Sequence, residues 1–150
     1  NGEIDLGLCG ALRMAKSVVI DDPVFGLFGL GCDAALNGTT YEVILKDGLR
    51  KWLVMHNLDV ELHLNRDTFA AGTAVAVSQD KDVVSFTLEN EHAVPHTTTL
   101  ELSGLIAGVY SVKIDNVEQY TITVSDPADT HQLTLNVGSN SVYSISITKN

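Results

Sequence analysis

"VVSFTLEN", Val83 to Asn90, is the stretch that decides the fold. Val84, Phe86 and Leu88 alternate with Ser85, Thr87 and Glu89. Successive side chains of a β-strand point to opposite faces, so a period of two marks a strand with one apolar and one wettable face. Such a strand needs a second layer over one face only.

The same pattern recurs on both sides of it. In "LDVELHLN", Leu58, Val60, Leu62 and Leu64 face one way and Asp59, Glu61, His63 and Asn65 the other. "VYSVKID" turns Tyr110, Val112 and Ile114 inward, "YTITVS" Tyr120, Ile122 and Val124, "LTLNV" Leu133, Leu135 and Val137, and "YSISIT" Tyr143, Ile145 and Ile147. Turn chemistry separates the runs at Asn37-Gly38, Asp47-Gly48, Asp115-Asn116, Asp126-Pro127 and Gly138-Ser139-Asn140. Short strands of this kind predict a mainly β chain, a two-sheet antiparallel β-sandwich. Val60, Leu62, Phe86, Leu88, Tyr110, Val112, Ile122, Leu135 and Ile145 are expected between the sheets. Glu61, His63, Ser85, Thr87, Lys113, Thr123 and Ser144 are expected to be largely exposed.

The beginning of the chain reads differently. "EIDLGLCGALRMAKSVV" carries Leu8, Leu12 and Ala15 at helical spacing, with Ala11 and Met14 beside them and Asp5 as N-cap. It predicts a short N-terminal helix within Leu6 to Val19, weakened by Gly7 and Gly10. The period changes near Leu36. Residues 1–36 are therefore read as a helical and junction segment of an upstream domain, and residues 37–150 as the β-sandwich domain.

Between helix and strands lies "VVIDDPVFGLFGLGC", Val18 to Cys32. Phe25, Leu27, Phe28 and Leu30, spaced by glycines, are too apolar to be left in water. Burying all four is worth roughly 6–12 kcal/mol before ordering costs. They are expected to pack on the helix of Leu8 to Met14 and on one end or face of the sandwich, any face left uncovered marking the contact with a neighbouring domain.

The 150 residues carry nine basic and nineteen acidic side chains, a formal charge of -10. Nucleic acids and anionic membranes require clustered Lys and Arg, so neither is an expected partner, and no apolar run is long enough to span a bilayer. Cys9 and Cys32 are too few for a disulfide framework; buried free thiols and a bridge both remain open. The chain opens Asn1-Gly2-Glu3 with neither methionine nor signal peptide, which is read as processing or as the tail of something longer.

Chemistry is sparse. His92 and His96 have a zinc-compatible spacing, but Pro95 interrupts any helix that would present both, so a polar loop is the competing reading and no metal is expected. Asp21 and Asp22 are adjacent and point to opposite sides of an extended chain, which prevents their acting as an acid–base pair. A turn role or a contact with a neighbouring domain's ligand remains for them. Trp52, the single tryptophan, is either an edge-packing residue or a ligand platform. "GLGCDA" lacks the setting of a nucleophile elbow and "GLFGLG" is no phosphate loop. No self-sufficient catalytic site and no cofactor are expected.

"LSGLIAGVYSVKIDN" resembles the G-L-x-x-G-x-Y-x-V hairpin common in accessory β-sandwiches of secreted bacterial proteins. "DDPVFGLFGLGC", with "LKDGLRKWL" and "VSFTLEN", resembles the C-terminal part of large bacterial proteins of unknown function related to six-hairpin, (α/α)6-barrel glycosidases. The resemblance implies a non-catalytic C-terminal accessory β-sandwich of a secreted or cell-surface carbohydrate-active enzyme. Its partner would be an upstream helical barrel of the same polypeptide, and a polysaccharide would be the ligand of the whole. An autonomous carbohydrate-binding module and a structural adhesion domain are the alternatives.

Overall fold

The computed structural model describes residues 16–139 and 141–150. They form β1 (Ser17–Asp22), β2 (Gly26–Leu30), β3 (Cys32–Asn37), β4 (Thr40–Leu45), β5 (Trp52–Met55), β6 (Val60–Leu64) and β7 (Thr68–Phe69). There follow β8 (Val75–Ser78), β9 (Val83–Asn90), β10 (His96–Ser103), β11 (Gly108–Ile114), β12 (Val117–Val124), β13 (Thr130–Val137) and β14 (Ser141–Lys149). The described residues are thus all-β, in two sheets. The six-stranded sheet runs β13-β10-β6-β5-β1-β2, and the eight-stranded sheet runs β12-β11-β14-β9-β8-β4-β3, with β7 paired to β9.

Both sheets contribute to one continuous core. Val19, Leu62, Leu100 and Leu135 enter it from the six-stranded sheet, and Val43, Val84, Tyr110 and Ile145 from the other. In "VVSFTLEN" Val84, Phe86 and Leu88 are buried, whereas Ser85, Thr87 and Glu89 are half-buried. The period of two therefore assigns the faces correctly here and in β6, where a one-residue slip would have reversed them. Ile122 is only half-buried because β12 is an edge strand with one neighbour. Glu61, His63, Ser85, Thr87 and Lys113 are half-buried instead of largely exposed, since each sits on a strand flanked on both sides and cross-strand neighbours cover one another.

The turns follow their residues. Ile114 pairs with Val117, leaving Asp115 and Asn116 as a two-residue loop with φ of 50° and 68°. These are the positive angles that a type I′ hairpin requires.

Three expectations are corrected. The helix expected to end at Val19 does not: Ser17–Asp22 is strand β1, and the rest of that helix, Leu6 to Ala15, lies outside the described residues. The sheets are not wholly antiparallel, since β1 pairs with β5 in parallel, Val18 opposite Val54. Nor does a structural break fall at Leu36, because β3 runs through it and pairs with β4. The described part of residues 1–36 consists of three strands hydrogen-bonded into the two sheets. The physical reason lies in "SVVIDD" and "GLFGL": β-branched and aromatic residues favour a pleated, half-buried surface.

Candidate functional site

The outer face of the six-stranded sheet carries the two features with functional potential, and strand register assembles both. Across one row lie Leu30, Val18, Val54, Glu61, Ser103 and Thr130. The parallel row holds Trp52, His63, Glu101 and Gln132, with Ile20 opposite Phe28 further along β1. The face is therefore apolar over β2, β1 and β5 and polar over β6, β10 and β13, with Trp52 at the boundary.

The apolar half ends in the β1–β2 hairpin. Its tip is held by Asp22, whose Oδ1 accepts the backbone amides of Val24 and Phe25 at 2.7 and 3.0 Å. Those two bonds hold the carboxyl below its ordinary range, the Phe25 amide contributing most. The turn thus fixed presents Val24 and Phe25 to solvent, each 81% exposed, and Leu30 follows at 54%. Of the four expected contact residues, only Leu27 packs against the core. Phe28 is half-buried on the outer face, and Phe25 stands at the tip. Their expected packing on Leu8 to Met14 concerns a segment outside the described residues.

The glycines of this stretch serve the chain itself. A Cβ at Gly29 would sit 2.5 Å from the Cys32 carbonyl oxygen and 2.6 Å from its sulfur, so Gly29 lets β2 fold closely against the start of β3. Cys32 is buried there, its thiol pushed up chiefly by burial, and it forms no disulfide within the described residues. Cys9 lies outside them.

The polar half forms a cleft of about 300 Å³ lined by Trp52, Glu61, His63, Glu101, Ser103 and Thr130, over Leu102. The indole of Trp52 stacks on the His63 ring with centroids 4.4 Å apart and planes 17° from parallel. Its Nε1 donates to Glu61 Oε2, and the Lys16 ammonium lies 5.2 Å from the ring centre. His63 Nδ1 is 3.5 Å from Glu101 Oε1. Carboxylates, imidazole and hydroxyls thus converge beside one aromatic ring, an arrangement suited to ligands rich in hydrogen-bond donors. Glu61, His63 and Glu101 were not legible as a group, because their strands are far apart in sequence. Glu61 and His63 were legible on the solvent side of "LDVELHLN", but no signal tied Glu101 on β10 to them.

Asp21 is exposed at the end of β1; β1 neighbours β5, but the register that sets Val18 beside Val54 carries Asp21 and Asp22 along the strand away from Trp52, so the three do not come together. His96 Nε2 lies 2.9 Å from both carboxylate oxygens of the buried Asp67, and the His92 ring meets His96 edge-on at 5.5 Å. His96 thereby ties the start of β10 to the β6–β7 loop. Among the described residues no group of three or more His, Cys, Asp or Glu side chains is placed to hold a metal ion, and no helix is long and apolar enough to cross a membrane. No family model, no curated protein and no solved structure matches this chain.

Proposed function

We propose that the chain is a non-catalytic accessory β-sandwich, its two sheets packed face to face, which docks through the β1–β2 hairpin on an upstream helical (α/α) barrel domain of the same polypeptide. The observation that carries this reading is the hairpin tip. A turn fixed by Asp22 holds Val24 and Phe25, each 81% exposed, out in water. A conformation that spends two backbone bonds to display apolar side chains is suited to a partner that covers them. The assignment to a secreted bacterial carbohydrate-active enzyme rests on the sequence resemblance alone.

The test is calorimetric. The chain is titrated into the domain encoded immediately before it, and the tip variant Phe25→Asp is compared with the parent sequence. Burying one Phe is worth about 1.5–3 kcal/mol, so the variant is expected to bind on the order of ten- to a hundredfold more weakly. Unchanged affinity rules the reading out.

The cleft beside Trp52 favours a second reading, an autonomous carbohydrate-binding module. Carboxylates and hydroxyls there suit a polyol, but the stacked His63 and the nearby Lys16 ammonium leave little flat ring surface for a sugar. Because Trp52 is the single tryptophan, its fluorescence reports directly. Saturable quenching by oligosaccharides, lost in Trp52→Ala, would favour this reading over docking.

A further inference from the structure

The two sheets end in four edge strands: β13 and β2 in one, β12 and β3 in the other. Three of them carry the polar side chains by which natural edges discourage pairing. β13 shows Gln132, Thr134 and Asn136 to solvent, β12 Glu118, Gln119, Thr121 and Thr123, and β3 Asp33 and Asn37. That end of the molecule is also bridged between sheets where β12 meets β13, Tyr120 donating its hydroxyl to the Thr134 carbonyl at 3.2 Å. β2, by contrast, reads Gly26-Leu27-Phe28-Gly29-Leu30, without one polar side chain.

The backbone of β2 is paired, among the described residues, on one side only, to β1. Among the described residues no other backbone group bonds to Gly26–Leu30. An unpaired row of donors and acceptors takes a particular complement, another extended chain, because only that matches a repeat of about 3.3 Å per residue. Phe28 and Leu30, on the outer face beside this edge, offer apolar contacts to alternate side chains of such a chain. Asp21 and Asp22 make the tip end of the edge acidic, and the whole molecule carries -10. Two copies would bring like charges together, whereas a basic residue on the incoming segment would be attracted.

We infer that β2 is a strand-addition site. It accepts one extended segment of a partner protein, apolar at alternate positions and basic at the end that meets Asp21 and Asp22. The inference rests on the docking reading only in that a partner covers this end of the molecule, and on the β2 edge for the form of that contact.

The full chain is followed by amide hydrogen exchange with and without a short peptide alternating valine and threonine, with lysine at both ends. A second peptide with proline in place of each valine cannot pair along an edge and serves as control. The first peptide is expected to slow exchange within Gly26–Leu30 about tenfold, the proline peptide to leave it unchanged, and Leu30→Lys to abolish the effect. Leu30 is 54% exposed, so that substitution leaves the core intact. Alternate amides of β2 are already protected by β1; protection, in the free chain, of those that point away from β1 would mean that its own residues cover the edge. That result overturns the inference, as do equal protection by the proline peptide, no protection at all, or a dimer of the chain itself joined through β2. The two readings separate cleanly. If Phe25→Asp weakens domain association while the peptide fails to pair, docking stands and strand addition falls; the reverse pattern removes docking and keeps the strand site.

Discussion

Asp22 holds the most exposed large apolar side chains among the described residues, Val24 and Phe25, in place with two backbone hydrogen bonds. Its carboxyl titrates below the ordinary range because the folded turn bonds to the ionised form. A lowered folded value means that the stabilisation is present above the unfolded carboxyl pKa and lost as pH falls through the folded one. The Val24 and Phe25 amide resonances should therefore shift on acidification with a midpoint below that of an ordinary aspartate, and Asp22→Ala should remove this titration. A midpoint at the ordinary value would mean that the turn does not depend on the charge. Gly104 is a second residue whose identity is dictated by its surroundings. Its φ is +102°, and a Cβ there would collide with the Asp59 carbonyl and the Cα of Val60. Gly104→Ala is expected to cost about 1–3 kcal/mol from backbone strain alone, read as a lower urea midpoint at unchanged slope.

The β1–β2 hairpin joins the two themes of the molecule. Val19 and Leu27 secure it to the core, and its outer residues Ile20, Phe28 and Leu30 continue the apolar half of the sheet face. A charge at Phe28 is therefore expected to act far more strongly than a charge on a wettable strand. Phe28→Asp should weaken association with the proposed upstream domain or lower stability by about 1.5–3 kcal/mol, while Thr121→Asp on the solvent side of β12 should stay within about 0.5 kcal/mol. Equal and negligible effects of both, in the chain and in its longer parent, would remove the docking role of the hairpin. The same element shows how local reading and tertiary pairing compete. Ser17–Val19, expected to end a helix, instead begin a strand whose parallel register with β5 places Val18 beside Val54.

At the scale of the whole molecule, one core cluster spans both sheets. Neither sheet can lose its partner without exposing its buried face, so thermal unfolding is expected as a single cooperative transition, with calorimetric and van't Hoff enthalpies equal. Two separated transitions would show that the sheets are independent units. Catalysis is expected to be absent. Asp21 and Asp22 do not form a pair, because Asp22 is committed to its turn, and the purified chain should hydrolyse no polysaccharide. Turnover abolished by a single substitution, such as Glu61→Gln or Glu101→Gln in the cleft, would reverse that expectation.

The sequence by itself determined six of the fourteen strands of the described residues, β6, β9 and β11 to β14, and which of their faces turn to the core. Both follow from a local rule, the alternation of Val84, Phe86 and Leu88 with Ser85, Thr87 and Glu89, and of Val60, Leu62 and Leu64 with Glu61 and His63. It also determined the turns, since Asp115-Asn116 specifies positive φ without help from elsewhere. Only the tertiary structure decided which strands became neighbours. Pairing is non-local, and nothing in "LKDGLRKWL" says that Trp52 will face His63, that His63 will face Glu101, or that β1 will lie parallel to β5. The apolar strip of Phe25, Phe28 and Leu30 was legible as a surface in need of cover. Its form, a hairpin tip and a strand at the edge of the sheet among the described residues, came from the pairing of β1 with β2 and its attachment to β5.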